Sequence, residues 1–108
     1  MSGFSATGGP MFAGGSCESL VIDTLLASPQ PEVVSLINPG DVLDVRLARS
    51  AGGEQVVEVA FHGQFAGGLA SPAISRLREC IEGGTLYQAR VTGKRDALVR
   101  VRVTAVWQ

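Results

Sequence analysis

Histidine, cysteine and charge are all scarce in this chain. Its 108 residues hold one His and two Cys, and Asp, Glu, Lys and Arg together make up 18%. That excludes a highly charged disordered segment, a polybasic tail and an acidic mimic of nucleic acid. No apolar run approaches the ~20 residues of a membrane helix. The first residues lack the basic start and apolar stretch of a secretory signal, so the expectation is a soluble, cytoplasmic chain with no membrane partner. Phosphate-binding loops are missing too. Gly52-Gly53, Gly67-Gly68 and Gly83-Gly84 are bare pairs, and none belongs to G-x-x-x-x-G-K-S/T or G-x-G-x-x-G.

The few reactive side chains form no recognisable set. Cys17, His62 and Cys80 give three candidate metal ligands with no ligand spacing, where a structural zinc site usually takes four. His62 sits next to Gly63 at an expected turn, and no flanking motif pairs it with either cysteine. The chain is therefore expected to be non-enzymatic, with no metal and no cofactor. In a cytoplasmic protein Cys17 and Cys80 are expected as reduced thiols. The alternative is a disulfide tying the start of the domain to its helix.

What is present is a β pattern. At 108 residues, 45% hydrophobic, the chain makes one small domain whose thin core suits a shallow groove better than a deep cavity. Residues 1–16 carry five Gly, one Pro and no charge, and read as a flexible tail ahead of a domain at 17–108. Residues 19–27 read as a strand. A helical turn is expected over 32–37, led by Pro31, followed by the turn Asn38-Pro39-Gly40-Asp41. Residues 42–49 and 55–62 alternate apolar and polar around Gly52-Gly53, which predicts a hairpin. A short strand follows over 65–69. Ser71 and Pro72 open a helix over 71–82 whose apolar stripe is Ile74, Leu77 and Ile81. Strands follow at 85–92 and 97–107, with a turn at Gly93-Lys94-Arg95-Asp96. On the last strand Val99, Val101, Val103, Ala105 and Trp107 point inward. No βαβ alternation appears, so the fold class is mostly β with one helix. The expected architecture is a small, partly closed antiparallel barrel of OB type, with the helix between the third main strand and the last two.

Charge is distributed unevenly. Residues 1–60 hold seven acids and two arginines, a balance of −5, whereas residues 83–108 hold five basic residues and one acid, a balance of +4. Arg90, Lys94, Arg95, Arg100 and Arg102 are candidates to share one sheet face and contact phosphate. Gly67 and Gly68, just ahead of the helix, are candidates for close backbone approach to an anion. Tyr87 has the opposite parity to Arg90 and should point into the core, away from the basic face.

The tail carries Phe4, Met11 and Phe12, candidates for docking a partner. Its tetrapeptide Phe12-Ala13-Gly14-Gly15 recurs as Phe65-Ala66-Gly67-Gly68, which suggests strand addition to a neighbouring copy.

The run Gly40-Asp41-Val42-Leu43-Asp44-Val45, then Val57-Glu58-Val59, Gly68-Leu69, the helix over 73–81, and Gly84 with Tyr87, Ala89 and Val91 resembles the HIRAN domain over roughly residues 20–92. The resemblance implies a modified OB-like barrel and a link to DNA ends and to remodelling or repair enzymes, with bacterial members that often stand alone. The family's E-P-x-N-x-x-D segment is missing; residues 48–55 read ARSAGGEQ. The family's DNA-end pocket therefore does not carry over. Two functions follow as expectations. The first is a module contacting single-stranded or end-frayed DNA or RNA through the basic hairpin. The second is an assembly adaptor or accessory subunit, docking a larger bacterial enzyme or a second copy through strand edges and tail.

Overall fold

The structure, a computed structural model, describes residues 16–106. Six strands form one antiparallel sheet: β1 (Ile22–Leu25), β2 (Val42–Arg49), β3 (Gln55–Phe61), β4 (Gln64–Gly68), β5 (Tyr87–Arg95) and β6 (Leu98–Ala105). Their spatial order is β1-β6-β5-β2-β3-β4. A one-turn helix α1 (Pro31–Val34) follows β1, and α2 (Ile74–Glu82) lies between β4 and β5. Among the described residues no helix is long and apolar enough to cross a membrane.

The sheet does not close, since β1 and β4 are its two edges. One reciprocal pair bridges the seam: Ala27 N–H donates to Gly68 O and Gly68 N–H to Ala27 O, both at 2.8 Å. The result is the partly closed barrel expected from the alternation. Gly67 makes the seam possible. A Cβ there would lie 3.0 Å from Ala27 O and 3.3 Å from Leu26 Cβ, and backbone cannot yield as a flexible side chain does.

Inward residues of every strand make one core, including Ile22, Leu43, Val57, Val59, Ala66, Val91, Val99, Val101 and Val103. Leu77 and Cys80 enter it from α2, and Val33, Val34 and Ile37 from α1 and the turn after it. The helix is shorter than expected. Ser71 Oγ accepts from Ala73 N–H at 3.1 Å and so caps a leading turn, and the regular helix begins at Ile74. The first strand is shorter as well, because Cys17–Ser19 forms a 3-10 turn.

The expectation of free thiols is overturned. Cys17 is bonded to Cys80, with their Cα atoms 5.6 Å apart, inside the range a disulfide spans. Tyr87 Oη donates to Cys17 O beside the bond. Burial raises the Tyr87 phenol above its ordinary pKa, with Arg76 pulling the other way.

Candidate functional site

The basic hairpin is β5–β6, and a bulge decides which of its cations face out. Between Val91 and Gly93 the register shifts, leaving Thr92 as the extra residue. Before the bulge, Tyr87, Ala89 and Val91 are buried and Arg90 faces solvent. After it the parity reverses: Lys94 lies opposite buried Val99, and Arg95 lies opposite exposed Leu98. The expected turn at residues 93–96 is instead strand through Arg95, and Asp96, at φ 54°, makes the turn with Ala97.

Lys94 is thereby taken off the shared face. Its Nζ donates to Val34 O at 2.7 Å and Ile37 O at 2.9 Å. These carbonyls lie at the end of α1 and in the turn after it, and Val34 O also accepts from Ile37 N–H at 3.1 Å. The Lys94 ammonium is a cap that holds α1 against the barrel, although Lys94 lines one groove with Arg95 and Arg100.

Arg102 does face out, opposite Arg90 on one side and Asp23 on the other. Its Nε donates to Asp23 Oδ1 at 2.8 Å and its Nη2 to Oδ2 at 3.4 Å. That hydrogen bond and the carboxylate's charge raise the Arg102 pKa further above its already high ordinary value. Arg102 is already neutralised within the domain.

Three guanidinium groups remain on the outer face. Arg90 is exposed and makes only a long bond, Nη1 to Gly40 O at 3.4 Å. Arg95 and Arg100 are exposed. Among the described residues no carboxylate lies within ion-pair distance of any of the three. Arg100 sits opposite Leu25 across β6 and β1. Leu25, Gly93, Lys94, Arg95, Leu98 and Arg100 line an open groove of about 280 Å³. Leu25 is 40% exposed and Leu98 56%, so the groove pairs two guanidinium groups with two accessible leucines.

Gly67 and Gly68 are not part of this groove. They lie at the seam, where the Gly68 N–H is spent on Ala27 O and Gly67 has no room beside it. With α2 starting at Ile74, they do not sit at a helix terminus either, and no anion cradle forms there. Phe4, Met11, Phe12 and Trp107 lie outside the described residues. His62 occupies the β3–β4 turn at φ 51°, its ring edge-on to Phe61 at 4.3 Å. The disulfide leaves neither cysteine available to it. Among the described residues no group of three or more His, Cys, Asp or Glu is placed to hold a metal ion.

Three contributors escaped the sequence reading: Asp23, Leu25 and Leu98. Asp23 was findable only through the β1–β6 register, which alternation does not supply. The parity switch had one local signal, a glycine inside a strand pattern, which often marks a bulge. No family model matches the chain, and neither a curated protein nor a solved structure matches it.

Proposed function

We propose that this domain is a non-enzymatic binding module that contacts single-stranded or end-frayed nucleic acid through the outer face of β5–β6. The carrying observation is the set of Arg90, Arg95 and Arg100 on one face without carboxylate partners among the described residues. Guanidinium groups suit this ligand because their planar fork matches phosphate oxygens and they also stack on bases. Leu25 and Leu98 offer apolar surface to an unpaired base. With Tyr87 in the core, no aromatic of the hairpin joins this face, which favours backbone contact over base stacking.

Phosphate contacts alone imply weak, salt-sensitive binding, on the order of 10⁻⁶–10⁻⁴ M at physiological salt. Fluorescence anisotropy with labelled single strands, duplexes and overhangs tests this. For single strands, the slope of log K against log salt should be about −2. The double variant Arg95→Ala, Arg100→Ala should flatten it by about 1.4. Absence of binding to all three probes at low salt refutes the proposal.

A second reading is a protein-docking adaptor or accessory subunit of a larger bacterial system. It is favoured by the open edge of β1, which has β6 on one side and no strand along its other side among the described residues. Edges of this kind accept strands from other chains.

A further inference from the structure

We propose that a latent phosphate seat lies between Arg90 and Arg102, closed in the free protein by the Asp23 carboxylate, and that Asp23 thereby sets how tightly a nucleic-acid strand is held. This rests on the nucleic-acid reading above and adds a fourth guanidinium to it.

Asp23, Arg102 and Arg90 stand side by side in one row across β1, β6 and β5. Two like charges directly opposite each other on neighbouring strands repel. Asp23 balances that repulsion from one side. Both of its carboxylate oxygens accept from Arg102, from Nε at 2.8 Å and from Nη2 at 3.4 Å. Arg90, on the far side of Arg102, has its long bond to Gly40 O at 3.4 Å. The row therefore holds two guanidinium groups and one carboxylate, which leaves it suited to a further anion. Phosphate is the fitting class, because its oxygens match the planar fork of a guanidinium as a carboxylate does.

Asp23 already occupies Arg102 in the way a phosphate would, by a two-oxygen contact to Nε and Nη2. That contact is open to water, with the Arg102 side chain 56% exposed and the Asp23 side chain 49%. Exposed ion pairs of this kind are weak and screened by salt. The cross-strand pair Arg46–Glu58 is built differently, since the Glu58 side chain is only 15% exposed. While the Asp23 contact stands, its charge cancels that of Arg102 and repels a phosphate approaching Arg90. Once it is removed, Arg102 and Arg90 face the same phosphate. Arg100 lies two residues from Arg102 on the same face of β6, about 7 Å along the strand. The opened seat thus continues the groove of Arg95 and Arg100.

Fluorescence anisotropy with a labelled oligothymidine single strand, run as a salt series, provides the test. It compares the native chain with Asp23→Asn, Asp44→Asn and the double variant Asp23→Asn, Arg102→Gln. The substituted side chains are all exposed, so the fold is kept. Asp23→Asn should bind about five- to tenfold more tightly at about 50 mM salt, and its slope of log K against log salt should steepen by about 0.7. Asp44 is exposed and has no ion-pair partner among the described residues. Asp44→Asn therefore changes the net charge equally but frees no guanidinium, and should leave the slope as it is. Adding Arg102→Gln to Asp23→Asn should remove the gain. The proposal is overturned when Asp23→Asn binds like the native chain, when Asp44→Asn gains as much, or when the gain survives the loss of Arg102. Native binding without an Asp23 effect removes this inference and keeps the reading above. A native chain that does not bind, beside an Asp23→Asn variant that binds through Arg102, keeps the seat and removes the three-arginine reading. No binding by either protein removes both.

Discussion

Cutting the Cys17–Cys80 bond should cost this domain a large part of its stability. The bond joins residues separated by 63 positions, and the chain-entropy relation for a loop of that length gives about 4 kcal/mol. A domain of this size is stable by only about 5–13 kcal/mol in total. Each kcal/mol shifts Tm by roughly 4–8 °C at this size, so reduction should lower Tm by roughly 15–30 °C. Cys80 is 2% exposed and packs with the core, so replacing it would add a packing loss. The cleaner variant is Cys17→Ser, at the less buried partner. Thermal unfolding of the oxidised protein, the reduced protein and Cys17→Ser should show the last two together and well below the first. Oxidised and reduced protein melting within about 3 °C of each other would refute the reasoning, because a closed loop of this length must be worth more. Alkylating free thiols in intact cells adds the compartment. A protected pair places the chain in an oxidising compartment, against the cytoplasmic expectation.

Other perturbations separate scaffold from binding face. Gly67→Ala should destabilise by about 1–3 kcal/mol through overpacking against Ala27 O, whereas at Gly68 the nearest atom to an added Cβ is 3.7 Å away and alanine should be tolerated; denaturant melts compare them. Lys94→Met should lower stability by roughly 1.5–3 kcal/mol by removing charged donors from two carbonyls, and leave the salt dependence of nucleic-acid binding unchanged. Arg95→Ala and Arg100→Ala should do the reverse, leaving Tm unchanged and weakening binding. The single tyrosine can be titrated by its ultraviolet absorbance and should ionise above the ordinary value of 10.0. Because the folded phenol holds its proton longer than the unfolded one, the unfolded state binds fewer protons above pH 10 and stability falls there; Tyr87→Phe should lose that part of the alkaline decline.

Much of the architecture was legible because its signals are local. The strand over 42–49 has the observed limits of β2, since clean alternation there lies between Asn38-Pro39-Gly40-Asp41 and Gly52-Gly53. Gly40 and Gly53 both take positive φ in those turns, as glycine allows. Ends set by distant partners were harder to read. The aliphatic run 19–27 looks like one strand, yet the disulfide to α2 and the Tyr87 bond hold Cys17–Ser19 in a tight turn. Pairing with Gly68 carries the far end on to Ala27. The turn at 93–96 misled because Gly-Lys-Arg-Asp has turn composition throughout. Among these residues Asp96 takes the positive φ, which Asp tolerates better than most residues.

The single residue inserted at Thr92 decides which cations of the hairpin face out. In a regular β5, alternation would put Arg90, Thr92 and Lys94 outside and Arg95 inside. The basic face would then hold a lysine, and a guanidinium would be driven into a core that, among the described residues, contains no buried polar or charged residue, at a severe desolvation cost. The bulge inverts that choice. Arg95 moves out beside Arg100, and the shorter Lys94 ammonium turns in to meet the α1 carbonyls. The groove with Leu25 and Leu98 therefore depends on register as much as on composition. Deleting Thr92 should exchange the two roles. Binding and stability would then fall together, whereas each point variant moves one of them.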